Sequence, residues 1–100
     1  MEVKEFQRKI VELSEAWNKK RSVIDDEQQA FTHLVEEVGE LAAEYTNQKA
    51  RKDKFSEAEL ENAIGDSLMQ LVRLANLRGL DIENVVMKII KGDQKYFTKR

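Results

Sequence analysis

The sequence has no cysteine, no proline, only four glycines and no long apolar run. Without cysteine there can be no disulfide, no thiolate metal site and no cysteine nucleophile. The N-terminus mixes charged and apolar residues without an uninterrupted apolar stretch, so neither a signal peptide nor a membrane span is expected. Charge of one sign is also missing. A net charge of −2 gives no global attraction to nucleic acid or to an anionic membrane, and no basic stripe with interleaved aromatics exists outside the short tail. The expected compartment is the cytoplasm.

The chain does have the makings of a helical globular protein: 36% charged residues, 41% hydrophobic residues and no helix-breaking proline. One hundred residues suit a single domain, 1–100, whose own core is adequate but not generous, so self-association would add useful buried surface. Val3, Phe6, Ile10, Leu13 and Trp17 recur at helical spacing and predict a first helix over about 3–19. Phe6 and Trp17 read as core or helix-contact residues, and an aromatic at a cleft edge is also able to stack on a base. Asn18 to Arg21 is basic and reads as a turn, either solvated or facing phosphate. The Asp25, Asp26 pair supplies an N-cap for the next helix.

The second predicted helix, about 27–49, organises the chain. Phe31, Leu34, Val35, Val38, Leu41, Ala42 and Tyr45 gather on one face, which reads as the core face, and His33, Glu37, Glu40 and Glu44 form a stripe beside it. A helix needing only solubility would set its charges opposite the apolar face. Acids bordering the core suit a metal site, although acidic helix faces are often merely solvated. His33, one turn before Glu37, is placed to reach phosphate or a metal-bound water, although a lone helical histidine is more often a surface or hydrogen-bonded residue. Gly39 hints at close approach of a backbone or ligand.

A loop is expected over 47–55. Ser56 to Glu59 then reads as a capping box opening a third helix, with Leu60, Ile64, Leu68, Leu71, Leu74 and Ala75 as its apolar side and a stop near Gly79. Its other side carries Glu59, Asn62, Asp66, Gln70 and Arg73, where Asp66 needs either a cation or a basic partner such as Arg73. Asp81 caps a fourth helix with Ile82, Val85, Val86, Ile89 and Ile90 on one side and Asn84, Lys88, Lys91 and Lys95 on the other, and Gly92 is expected to end or bend it. The tail from Lys95 to Arg100 is basic and includes Tyr96 and Phe97. Four helices joined by short loops indicate an all-α bundle completed by a second copy.

The run HLVEEVGELAAEY at 33–45, followed by AIGDSLMQLVRLANLRGLDIENV at 63–85, resembles the MazG family of all-α nucleoside triphosphate pyrophosphohydrolases. The resemblance implies a four-helix MazG-like domain, working as a homodimer or homotetramer. Its activity would convert an NTP or dNTP to the monophosphate and pyrophosphate with Mg²⁺, or Mn²⁺ in its place, in many relatives to remove surplus or non-standard nucleotides. By this resemblance Glu37, Glu40 and Asp66 are metal ligands, Glu36 is a ligand or activates water, and Lys88, with Lys91, neutralises the phosphates. Departures stand out at three positions. The second acidic block normally carries a carboxylate three residues before its aspartate, where this chain has Ala63, and Glu59 two turns before Asp66 is a candidate substitute. Gly92 stands where relatives have asparagine, and Phe97 where they have proline.

The implied chemistry explains the residue types. Mg²⁺ is a hard cation held by carboxylates, water and phosphate oxygens, and clustered glutamates stay ionised when it neutralises them. The candidate set is therefore Glu36, Glu37 and Lys88 for catalysis, Glu37, Glu40, Asp66 and Glu59 for metal, and Lys88, Lys91, His33 and Trp17 for substrate. A relative that binds nucleotide or metal without turnover, and a purely structural helical interaction module, are the alternatives. A di-iron bundle is disfavoured because Glu-x-x-His pairs are absent.

Overall fold

A computed structural model of the chain describes residues 1–22 and 26–98. They form four helices, α1 (Val3–Arg21), α2 (Glu27–Ala50), α3 (Glu57–Leu77) and α4 (Ile82–Thr98), as the four-helix pattern predicts. Asp25, Lys99 and Arg100 lie outside the described residues. Helices α2 and α3 form the central hairpin, α1 packs on α3, and α4 packs on α1.

Several helix ends have a local cause. The Asp26 carboxylate accepts a 2.8 Å hydrogen bond from the Gln29 amide at the start of α2, the Ser56 hydroxyl accepts from the Glu59 amide at 3.2 Å, and Asp81 accepts from the Asn84 amide at 3.3 Å. These bonds satisfy amides that have no partner within the helix. Helix α3 ends in a Schellman motif: Gly79 takes φ 71°, its amide donates to Asn76 at 2.9 Å, and the Leu80 amide donates to Ala75 at 2.9 Å. The Gln7 side chain of α1 then brackets the following turn, donating to the Leu80 carbonyl at 3.0 Å and accepting from the Ile82 amide at 3.0 Å. Arg78 pairs with Glu27 at 3.0 Å, a solvent-exposed link of small energetic weight.

Three readings of the sequence need correction. Asn18 to Arg21 is the last turn of α1, not a loop, because the helix ends only where Ser22 adopts a left-handed conformation. Gly92 neither ends α4 nor lies at its end, since the helix continues to Thr98; a helical glycine costs about 1 kcal/mol relative to alanine but stops a helix only when it turns left-handed. The third correction concerns the core. Phe31, Val35, Val38 and Tyr45 of α2 are exposed, Phe31 by 56%, and so are Ile64, Leu68 and Leu71 of α3. The buried residues are Ile10, Ala30, Leu60, Ala63, Val72, Ala75 and Glu44. Helix α2 thus turns its Ala30–Leu34–Glu37–Leu41–Glu44 edge toward α3 and leaves the neighbouring apolar stripe uncovered.

Among the described residues, a core of six buried hydrophobic residues, half of them alanine, buries little. The Cα radius of gyration is 16.7 Å, against about 13 Å for a compact domain of this length. The accessible surface is 8048 Å², where roughly 5,800 Å² is expected for a compact monomer of this mass. No helix among the described residues is long and apolar enough to cross a membrane.

Gly79→Ala is expected to lower stability by about 1 kcal/mol in urea titrations, the cost of a left-handed backbone for a residue with a Cβ. No atom lies within 4 Å of the added carbon, so the loss is one of backbone conformation. Gly79→Asn, which tolerates that conformation better, is expected to lose less.

Candidate functional site

The inward edge of α2 carries the chemistry. Spacings of three and four residues bring His33, Glu37, Glu40 and Glu44 along one side of the helix, and the packing of α2 on α3 sets Asp66 opposite them. Glu37 is half-buried, Glu40 and Asp66 are exposed on the rim of the groove, and Glu36 faces solvent. Burial raises the Glu37 carboxyl above its ordinary range, and the charges of Glu40 and Asp66, a hydrogen bond with Glu40 and the charge of Glu36 push it the same way. The structure therefore brings Glu37, Glu40 and Asp66 into one electrostatic cluster. One Glu37 oxygen, Oε2, is buried without a hydrogen-bond partner.

Two cavities flank this cluster. The first, about 470 Å³, is lined by Glu37 and His33 of α2, by Trp17 and Arg21 of α1, and by Gln70 and Arg73 of α3. The second, about 340 Å³, holds Glu40, Glu44, Glu59, Ala63 and Asp66. Trp17 and His33, which sequence spacing alone could not orient, thus share a cavity with Glu37. The Arg21 guanidinium lies 4.4 Å from the Trp17 ring centroid and the Lys20 ammonium 5.7 Å from it, both within cation–π range. Arg73 hydrogen-bonds Gln70 at 2.9 Å. Lys88 and Lys91 are exposed on α4 and line neither cavity.

Two contributors were only partly legible in the sequence. Arg21 was read within a basic turn, either solvated or facing phosphate, and its place on the last turn of α1, one turn after Trp17, is what sets it at the cavity. Glu44 was visible as part of the acidic stripe, but nothing in the spacing indicated that it is the buried member, with 8% exposure and an unpartnered Oε2.

Such a donor set suits a hard cation. Carboxylates that repel one another across a groove, with buried oxygens lacking donors, are stabilised by a divalent ion with oxygen preference. Glu37, Glu40 and Asp66 are the residues that could hold it. Among the described residues no three acidic or histidine side chains already converge at coordinating distance, so binding would require these side chains to draw together.

A pH dependence follows from Glu37. Its folded-state affinity for a proton is raised above the ordinary 4.5, so above that pH the folded chain retains a proton that the unfolded chain releases. Its contribution to stability is therefore full below pH 4.5 and is lost as pH rises through the shifted value. In metal-free buffer Glu37→Gln is expected to melt at a higher temperature than the wild type at pH 7, with the difference closing as the pH falls below 4.5. Circular-dichroism melts in EDTA measure it; parallel melting temperatures across that range contradict it.

Compared with known families, residues 25–96 match the model of the MazG nucleotide pyrophosphohydrolase domain, a span that takes in all of α2 and α3 and most of α4. No curated protein and no solved structure matches the chain. The family match covers well over half of the sequence and includes every acid of the groove, and the all-helical fold agrees with it: the chain belongs to the MazG nucleotide pyrophosphohydrolase domain family.

Proposed function

We propose that the protein is a Mg²⁺-dependent nucleoside triphosphate pyrophosphohydrolase, releasing pyrophosphate and a nucleoside monophosphate from an NTP or dNTP in the cytoplasm, in the manner of a nucleotide-pool cleaning enzyme. The observation that carries this reading is the cluster of Glu37, Glu40 and Asp66 at the α2–α3 groove of a chain in this family. These three would hold the ion, with Mn²⁺ able to replace Mg²⁺. When bound, the ion would neutralise phosphate charge and polarise the α-phosphorus toward attack.

The protein's own groups divide the remaining work. Glu36, on the solvent side of the cluster, accepts a proton from the attacking water or completes the ligand set. The larger cavity takes the nucleotide: Trp17 offers a ring edge or face to the base, while Arg21 and His33 meet the phosphates with charge and hydrogen bonds. Lys88 and Lys91 have the same phosphate role, and because α4 packs away from the acids within one chain, they would exercise it across an interface between copies. A homodimer or homotetramer accounts for the uncovered stripe of Phe31, Val35, Val38 and Tyr45 and for the adjoining Ile64, Leu68 and Leu71.

A second reading, a relative that binds nucleotide or metal without turnover, is favoured by Ala63, which deprives α3 of a carboxylate beside the groove. Pyrophosphate release separates the two. With a panel of standard and modified NTPs and dNTPs, release in Mg²⁺ and its loss in EDTA are expected, with the monophosphate as co-product. Glu37→Gln is expected to reduce kcat/KM by about 100-fold or more, the order seen when charge stabilisation is removed from a reacting centre. Undiminished activity in that variant would sink the assignment, and nucleotide binding without product would establish the second reading. For the assembly, Val38→Lys is expected to lower the mass measured by light scattering to that of one chain; an unchanged mass excludes this stripe from the interface.

A further inference from the structure

Position 63 of α3 is an alanine where the resemblance noted in the sequence leads to a carboxylate. Ala63 is 4% exposed, so its methyl group faces the packed α2–α3 interface and leaves room there. Across that room stands Glu44, one turn beyond Glu40 on the inward edge of α2, and the two residues line the same cavity of about 340 Å³ with Glu40 and Asp66. Glu44 is buried to 8% exposure. Its Oε1 accepts a 3.3 Å hydrogen bond from the Asn47 side-chain amide, whereas its Oε2 is buried and has no partner. A carboxylate oxygen removed from water without a donor or a cation is costly, and native structures rarely keep one without a use.

We propose that Glu44 supplies, from α2, the carboxylate that Ala63 withholds from α3, making it a ligand of the divalent cation held with Glu40 and Asp66. The inference deepens the hydrolase reading and rests on it. Ala63 and Glu44 are both buried and line the same cavity from opposite helices. Asn47 holds one Glu44 oxygen by its side-chain amide and leaves the other buried without a donor in a residue that lines the cavity, and a neighbour that fixes one oxygen is a common way of orienting a ligand. Glu59, the candidate that sequence spacing suggested, is exposed in the first turn of α3, where water already solvates its charge. The same donor set also explains how an incomplete second acidic block can coexist with the rest of the groove: the charge has moved across the interface and has not been lost.

Mn²⁺ is the probe, because its oxygen preference resembles that of Mg²⁺ and its free form is counted directly by electron paramagnetic resonance. The intact purified protein is titrated as wild type, Glu44→Gln, Glu59→Gln and the exchanged double variant Glu44→Ala/Ala63→Glu. Glu44→Gln keeps the shape and the Asn47 bond, and is expected to weaken Mn²⁺ binding at least tenfold, with a smaller change in Glu59→Gln. The exchanged variant is expected to recover binding to within about threefold of the wild type, and it decides the matter if Glu44→Gln alone fails to fold. Wild-type affinity in Glu44→Gln, a larger loss in Glu59→Gln than in Glu44→Gln, or no recovery in the exchanged variant each overturns the proposal. A wild type that binds no Mn²⁺ sinks the metal-dependent hydrolase reading and this inference with it; binding that is equal in wild type and Glu44→Gln sinks this inference alone.

Discussion

Carboxylates held between two packed helices are the constraint from which the other features follow. Ala30 and Glu44 of α2 and Leu60, Ala63, Val72 and Ala75 of α3 are buried, and in the packing of these two helices Glu37 and Glu44 lose part of their water. In a low-dielectric groove the acids cannot all remain charged without compensation, and Glu37 registers this as a raised proton affinity caused first by burial and then by its neighbours. The chain could have relieved the conflict with an apolar residue at either position. It keeps the acids, and so carries a local instability of the kind that binding sites characteristically retain.

That choice also shapes the exterior. An α2 edge given over to glutamates leaves the larger hydrophobic residues on the adjacent stripe, so α2 buries Ala30 and Glu44 and exposes Phe31, Val35, Val38 and Tyr45. The result is an open arrangement with a radius of gyration of 16.7 Å and a small core. Acidic groove and uncovered apolar stripe are two outcomes of one helical phase, since rotating α2 to bury Phe31 would carry Glu37 away from Asp66.

Helix number and most helix ends were readable because they depend on local chemistry: Asp26, Ser56 and Asp81 cap the helices they were expected to cap, and Gly79 closes α3. The acids of the groove were readable for a related reason, their spacing fixing them to one side of α2 whatever packs on it. The buried face was not. Two apolar stripes of α2 lie about a third of a turn apart, and periodicity cannot say which one the chain covers itself. Lys88 and Lys91 expose a similar limit, because residue type suggests phosphate but only tertiary packing reveals that α4 joins α1 and not the acidic hairpin. Gly92 misled in the other direction, composition suggesting a stop where the backbone stays helical.

The bracketing of the α3–α4 turn by Gln7 has a further consequence, for the order in which the chain gains structure. Its two hydrogen bonds span 73 and 75 residues, while α2 and α3 are joined by a short connection and meet across small sequence separations. Loop-closure entropy is therefore concentrated at the joint between α1 and the start of α4, and hardly touches the α2–α3 hairpin. The acidic groove belongs to the part of the molecule that is topologically simplest to form. The first helix, by contrast, packs on α3 and the last on α1, and Gln7 adds to that packing one amide side chain that reads both a carbonyl and an amide of the same turn.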